Sequence, residues 1–160
     1  MLKAIFPGSF DPPTNGHINI LDRIYDMYDE IFVVVADNVS KQYTFTLEER
    51  VEMMREIVAQ YPNISVHPWD KLVVKFAEQV GARMMVRGVR ALADFNYEFE
   101  LSMVNKGLNP NVETIFIPTD PQYFVLRSSA IKELARLGGD ISTMVPAHVA
   151  FRLKEKMARS

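Results

Sequence analysis

Five short apolar runs, set apart by longer amphipathic segments, constrain this chain more than any other feature. The runs are KAIF (3–6), EIFVVVA (30–36), ISVH (64–67), RMMVR (83–87) and TIFIP (114–118). They are rich in β-branched residues and mostly apolar throughout, which suits strands covered on both faces, as in a parallel sheet. Helical patterns lie between them. One covers 17–28, and the next opens with Thr46 and Glu49 in capping-box spacing and runs to about Gln60. A third follows Asp70 and stops at Gly81, and a fourth runs from about Asp94 to Leu108. After the last strand come a helix over 129–137, ended by Gly138-Gly139, and another after Pro146, a residue suited to a first turn. Such alternation with short connections predicts an α/β fold: a doubly wound, five-stranded parallel sheet flanked by helices. A chain of 160 residues has material for one domain with a full core, and 1–160 reads as a single domain.

Composition narrows the class. Apolar residues make up 48% and charged residues 24%, the balance of an ordinary soluble globular chain. The formal net charge is −2, so no overall basic field attracts nucleic acid, and anion binding has to come from local clusters. The absence of cysteine excludes disulfides and Cys-ligated zinc or iron–sulfur sites and fits a reducing compartment. The longest apolar runs are strand-sized, well short of the roughly 20 residues of a membrane span. The start, MLKAIFPG, reads as an opening strand without the apolar region of a signal peptide. A cytoplasmic protein with no membrane or nucleic-acid partner is expected.

The irregular stretches fall at one edge of the predicted sheet. PGSFDPPTNGH follows the first strand, DNVSK the second, RGVR (87–90) the fourth and TDPQY (119–123) the fifth. These are the carboxyl ends of the strands, where open α/β sheets bind ligands. Gly8 allows close approach of backbone to a ligand, with the N–H groups of Ser9 and Phe10 behind it. Gly16 leads into a helix whose N-terminus offers unpaired donors and a positive dipole end. His17 lies in that first turn, where the helix end disfavours an imidazolium and leaves a neutral ring that donates one N–H. The pattern suits phosphate groups; a proline-rich loop capped by a histidine is its ordinary counterpart.

Arg87 and Arg90 straddle Gly88, and two planar donor forks on a ligand rim suit a polyanion. The alternative is a structural bridge from one of them to Asp94. From spacing alone Lys41 is a solvated surface charge, and Ser128-Ser129 opens a helix as an ordinary N-cap whose donors also suit phosphate. Glu98 and Glu100 are two apart on a helix and share no face, so they make a poor acid–base pair. His67 and His148 lack metal-ligand companions and read as structural. The chain has no convincing nucleophile–base pair, no Walker A motif and no Gly-x-Gly-x-x-Gly. What it describes is a site for an extended phosphorylated ligand.

Thr14-Asn15-Gly16-His17, after Pro7-Gly8-Ser9-Phe10-Asp11-Pro12, resembles the first signature of the nucleotidylyltransferase superfamily with the His-x-Gly-His-type motif. TFTLEERVEM (44–53), RGVRALADFNYEFEL (87–101) and RSSAIKELARLGGDI (127–141), with the chain length, are similar to the bacterial phosphopantetheine adenylyltransferases. The resemblance spans essentially the whole chain. It implies a Rossmann-like nucleotidylyltransferase fold and adenylyl transfer from ATP to 4′-phosphopantetheine, giving 3′-dephospho-coenzyme A and pyrophosphate. A phosphate monoester attacks, with a second pKa near 6. It is already largely a dianion at neutral pH and needs alignment and charge relief rather than a base.

Carried over by position, His17, Lys41 and Arg90 are the expected catalytic residues. His17 binds ATP phosphate and stabilises the transition state. Ser9 and Phe10 give backbone contacts to ATP, with Ser9 also near the acceptor phosphate. Lys41 and Arg87 hold that phosphate, which replaces the surface reading of Lys41, and Val73 lines the pantetheine arm. Gly88, Val89 and Arg90 contact the nucleotide, with Glu98 beside them. Tyr123, Phe124, Val125, Leu126, Arg127, Ser128 and Ser129 close over the adenosine and triphosphate. Mg²⁺ accompanies ATP on phosphate oxygens and water, with no side-chain ligand. Members of the family are commonly homohexamers.

Two departures from the family pattern are Arg127 where a serine is usual, and ADNVSK, with Asp37 and no proline, before Lys41. They bear on ATP affinity and on the shape of the lysine loop. The rival readings are a related transferase with another phosphorylated acceptor and a non-catalytic nucleotide-binding protein. An RNA-binding module is disfavoured by the net charge.

Overall fold

All five apolar runs form strands of one parallel sheet in a computed structural model that describes residues 1–123 and 127–160. The strands are β1 (Lys3–Gly8), β2 (Glu30–Ala36), β3 (Ile64–Trp69), β4 (Met84–Val89) and β5 (Glu113–Pro118), in the order β3-β2-β1-β4-β5. The chain builds outward from β1 in one direction, returns, and builds outward in the other, so the order reverses between β1 and β4. The helices are α1 (Asn15–Ile24), α2 (Leu47–Val58), α3 (Val73–Val80), α4 (Leu92–Leu108), α5 (Ser128–Arg136) and α6 (Ala147–Ala158).

Two-residue periodicity in the central strands divides the core. Ala4, Phe6, Ile31, Val33 and Val35 pack on one face with Ile20, Leu21, Met53, Met54, Ile131 and Val149. Ile5, Val34 and Met85 pack on the other with Val74, Phe76 and Ala77 of α3. Covering both faces explains why these strands read as unbroken apolar runs.

The sequence places β1 at 3–6, but it continues through Pro7 and Gly8, paired with β2 from Lys3↔Glu30 to Gly8↔Val35. Proline is tolerated in this central strand because pairing with β4 is confined to Ala4↔Met84 and Ile5↔Met85. At Pro7 β4 offers no rung, and the Pro7 carbonyl instead accepts a hydrogen bond from the Arg87 guanidinium. The first helix ends at Ile24, short of the predicted 28. The chain must turn there to bring β2 beside β1, and Asp29 N–H donates to Leu2 O at 2.9 Å.

The capping box at Thr46 and Glu49 forms as read, and Gly81 closes α3 at φ 71°. Pro146 lies one position before the first turn, at the N-cap of α6. The predicted Ser128 cap does not form: Arg127 is the N-cap of α5, without a side-chain bond, and the Ser128 hydroxyl donates to Pro12 O at 3.0 Å. Helix α4 differs from the others. It has no buried residue, and Leu92, Tyr97, Met103 and Val104 are each more than half exposed.

Candidate active site

A cavity of about 610 Å³ lies where the strand order reverses, lined by the ends of β1 and β4 together with α1 and α5. This is the crevice at which doubly wound sheets take ligands. Its wall packs closely at two glycines. A Cβ on Gly8 would meet the Phe10 ring at 3.0 Å, and one on Gly88 would meet Ile20 at 3.1 Å.

The loop after β1 is held from three sides. Phe10 is buried and adopts φ 50°, a left-handed conformation that a non-glycine residue keeps only under constraint. Asp11 is 5% exposed. Its carboxylate accepts from the N–H groups of Thr44 and Phe45, each at 2.9 Å, and from Lys132 of α5 at 3.1 Å. Arg50 of α2 is fully buried and donates to the carbonyls of Ser9 and Ala36, each at 2.9 Å. Its second Nη reaches Asp37 at 2.6 Å, and its plane lies 3.9 Å from the Tyr43 ring centre.

His17 is locked by the start of its own helix. Thr14 caps α1, accepting from His17 N–H at 3.3 Å, while Thr14 N–H donates to His17 Nδ1 at 3.0 Å. A backbone amide only donates, so Nδ1 carries the lone pair and the proton of the neutral ring sits on Nε2. Burial, followed by the charges of Arg90 and Arg87, pushes the pKa down to about 3. The ring is therefore neutral at pH 7 and meets Phe10 edge-on at 4.8 Å. Neutrality was foreseen from the helix dipole; desolvation and the two arginines are the causes found here.

Of the cavity-lining side chains, five cations (Lys41, Arg87, Arg90, Arg127 and Lys132) outnumber three carboxylates (Asp11, Asp94 and Glu98). A chain of net charge −2 thus gathers a positive surplus at one crevice. The carboxylates hold the cations in place. Glu98 grips Arg87 through both oxygens, at 2.7 and 2.5 Å. Asp94 takes Arg90 at 3.1 Å and Arg127 at 3.3 Å, so the bridge weighed for one arginine forms with Arg90. Lys41 sits on an exposed turn, where its N–H donates to Asn38 O at 2.9 Å.

The structure brings together Ser9, Phe10, His17, Lys41, Arg87, Gly88, Arg90, Glu98, Arg127, Ser128 and Ser129 around this cavity. Val73 lines an adjoining slot of about 240 Å³ that shares Ser9, Lys41 and Arg87 and runs on past Met85 and Leu101 to Asn105. Val89 and Tyr123 are not in the lining. The Val89 carbonyl accepts from Thr119 N–H, and Tyr123 packs against the core. Phe124, Val125 and Leu126 lie outside the described residues. The sequence motifs contain Arg50, Asp11 and Lys132 but give them no role, and they offer Asp94 only as a partner for one arginine. Among the described residues no three His, Asp or Glu side chains cluster in a way that would hold a metal ion.

A sequence profile of the cytidylyltransferase-like family matches residues 5–134. The phosphopantetheine adenylyltransferase of Caldanaerobacter subterraneus subsp. tengcongensis is 46% identical over 160 residues, covering 100% of both chains. That of Treponema pallidum (strain Nichols) is 46% identical over 159 residues, covering 99% of this chain and 100% of its own. That of Dictyoglomus turgidum is 45% identical over 156 residues, 98% of each. The crystal structure of a "Putative Nicotinate-nucleotide Adenylyltransferase" from Vibrio parahaemolyticus superposes with a TM-score of 0.74 at 19% identity, covering 100% of this chain and 97% of its own. At that identity it bears on the fold alone.

Proposed function

We propose a mechanism for a chain that belongs to the phosphopantetheine adenylyltransferase family, within the cytidylyltransferase-like proteins. Its activity is transfer of the adenylyl group of ATP to 4′-phosphopantetheine, giving 3′-dephospho-coenzyme A and pyrophosphate in coenzyme A synthesis. An oxygen of the acceptor phosphate attacks the α-phosphorus of ATP in line. The new P–O bond forms as the bond to the bridging oxygen breaks, and pyrophosphate leaves with the electron pair. The attacking monoester has a second pKa near 6, so no proton has to be removed at neutral pH. The protein's task is to bring two anions together and to stabilise charge at the α-phosphate.

His17 donates Nε2–H to the α-phosphate oxygens as they gain charge. Lys41 and Arg87 hold the acceptor phosphate, and Val73 and the slot beside it take the pantetheine arm. Arg90, Arg127, the backbone N–H groups of Ser9 and Phe10, and the start of α5 at Ser128 and Ser129 hold the triphosphate, beside Gly88. Glu98 acts by orienting Arg87, since both of its oxygens are engaged there. The donor set suits Mg²⁺ that arrives on ATP: Asp11, Asp94 and Glu98 each already pair with a cation, which leaves the ion to phosphate oxygens and water. When bound, Mg²⁺ neutralises charge on the leaving pyrophosphate.

One observation supports this scheme above the others: a histidine held neutral with its proton on Nε2, in the same cavity as both arginines. The exposed apolar surface of α4 supports self-association that would cover it, and a homohexamer is the assembly assigned from the family likeness. No described helix is long and apolar enough to cross a membrane. The family likeness assigns the reaction to the cytoplasm, with no membrane or nucleic-acid partner. The test is pyrophosphate release with ATP and a panel of phosphorylated acceptors. Turnover should be confined to 4′-phosphopantetheine; preference for nicotinamide mononucleotide or glycerol phosphate, ATP binding without turnover on any acceptor, or an isolated adenylylated enzyme would overturn the scheme.

A further inference from the structure

We propose that Arg50 is a positioning residue that sets the nucleotide side and the acceptor side of the crevice in register through one guanidinium. The inference rests on the roles proposed above for Phe10 and Lys41. Arg50 is fully buried and is not part of the cavity wall. Burying a guanidinium is costly unless its donors are met; here both Nη groups are met, by groups from two different loops, while the buried Nε finds no partner. Nη1 takes Ser9 O after β1 and Ala36 O at the end of β2, each at 2.9 Å, and Nη2 takes Asp37 at 2.6 Å.

The bond to Ser9 O has a directional consequence. In a planar trans peptide the carbonyl and the next N–H point opposite ways. Arg50 draws the Ser9 carbonyl away from the cavity, so the N–H of Phe10 is turned toward it. The same contact helps to hold Phe10 at φ 50°. On the other side, Asp37 and Tyr43 bracket the turn that carries Lys41. Asp37 is paired with Arg50, Tyr43 lies under its plane, and the Tyr43 hydroxyl accepts from Asn38 N–H at 2.9 Å. A shift of the guanidinium therefore moves a phosphate donor and a phosphate-binding lysine relative to one another. In a reaction governed by alignment, displacement on the order of 1 Å costs about 10²-fold in rate.

The experiment uses the full chain with Arg50→Lys, Asp37→Asn and, as a structural control, Glu52→Gln. Glu52 pairs with Arg152 on the outer side of α2 and touches no part of the crevice. Arg50→Lys keeps charge and bulk but cannot span three acceptors. Its kcat per active site should fall about 100-fold and its ATP Kd by calorimetry should rise about 5-fold. Glu52→Gln should lower the melting temperature and leave kcat and both KM values unchanged. Asp37→Asn should raise the KM for 4′-phosphopantetheine about 5-fold and leave the ATP Kd alone. A folded Arg50→Lys enzyme with kcat within about 3-fold of the parent refutes the role. Should that variant fail to fold, an unchanged acceptor KM in Asp37→Asn refutes it instead. Should the parent fail to turn over 4′-phosphopantetheine, the proposed function falls on its own, and the ATP Kd of Arg50→Lys, raised or unchanged, still decides the role of Arg50.

Discussion

Glu98 faces Arg87 fork to fork, with both carboxylate oxygens on the guanidinium at 2.5 and 2.7 Å. The two residues come from different elements, β4 and α4, and the pair fixes the plane of the Arg87 guanidinium. The third donor of Arg87 goes to the Pro7 carbonyl. An arginine on this rim is thus oriented before any ligand arrives.

Glu98→Gln should leave Arg87 charged but loosely aimed. The expected effect is a rise of about 10-fold in the KM for 4′-phosphopantetheine, with a smaller change in that for ATP, since a charge-assisted fork is the stronger kind of hydrogen bond. Steady-state kinetics with each substrate varied in turn would read it. An equal rise in both KM values would return Glu98 to the nucleotide.

His17→Ala should leave ATP binding nearly intact and lower kcat by about 10²–10³-fold, the usual loss for one preorganised donor. The pH profile gives a second check. With a pKa of about 3, His17 does not titrate above pH 5. The acceptor phosphate alone should set an inflection near pH 6, with the rate rising toward higher pH. The inflection should persist in His17→Gln, and its disappearance would assign the titration to the histidine.

The same group links pH to stability. The folded ring binds a proton only near pH 3, whereas the unfolded chain binds it below about 6.5. Between those values the unfolded state holds more protons, so stability falls as the pH falls through that window. The limiting slope is about 1.4 kcal/mol per pH unit, and less where solvent reaches the ring. Urea titrations at pH 4 and pH 7 should show a smaller difference for His17→Gln than for the parent.

Asp11→Asn should be felt in stability before catalysis. It removes the charge facing Lys132 and presents an amide to three donors. Breaking a buried pair costs about 3–5 kcal/mol, and about 2–4 is expected here because Lys132 is partly exposed. The loss should appear as a lower midpoint in thermal or urea unfolding. A variant as stable as the parent would mean that the clasp carries no load.

Much of the architecture was legible because its determinants are local. Runs such as 30–36 can hardly be other than covered strands, and Thr46 with Glu49 or Gly81 mark helix ends through neighbours a few positions away. The loop after β1 and the place of His17 on the cavity wall were legible from a spaced motif. Arg50 was not. Within LEERVEMM it has the look of one more charge on an amphipathic helix, and its partners Ser9, Ala36 and Asp37 are brought to it only by the sheet. Lys132 and Asp11 meet across 121 positions. Ser128 misled because its hydroxyl had a better acceptor at Pro12, 116 positions away, than in its own helix. A bridge from Arg87 or Arg90 to Asp94 is within local reach, and Arg90, four positions away, forms it, whereas Arg87 and Glu98, eleven apart across a strand–helix turn, give no such local cue.

The last backbone rung between the two halves of the sheet is Ile5↔Met85. Residues of one strand two apart face the same neighbour, so the next donor toward β4 belongs to Pro7, which has none. The ladder cannot zip further, and the strands part above it like an opened hem. Into that parting comes a side chain rather than an amide, and a permanent positive charge stands where a neutral rung would have been. The missing proton of one imino acid thus makes the room, and the carbonyl left beside it chooses the sign of the guest.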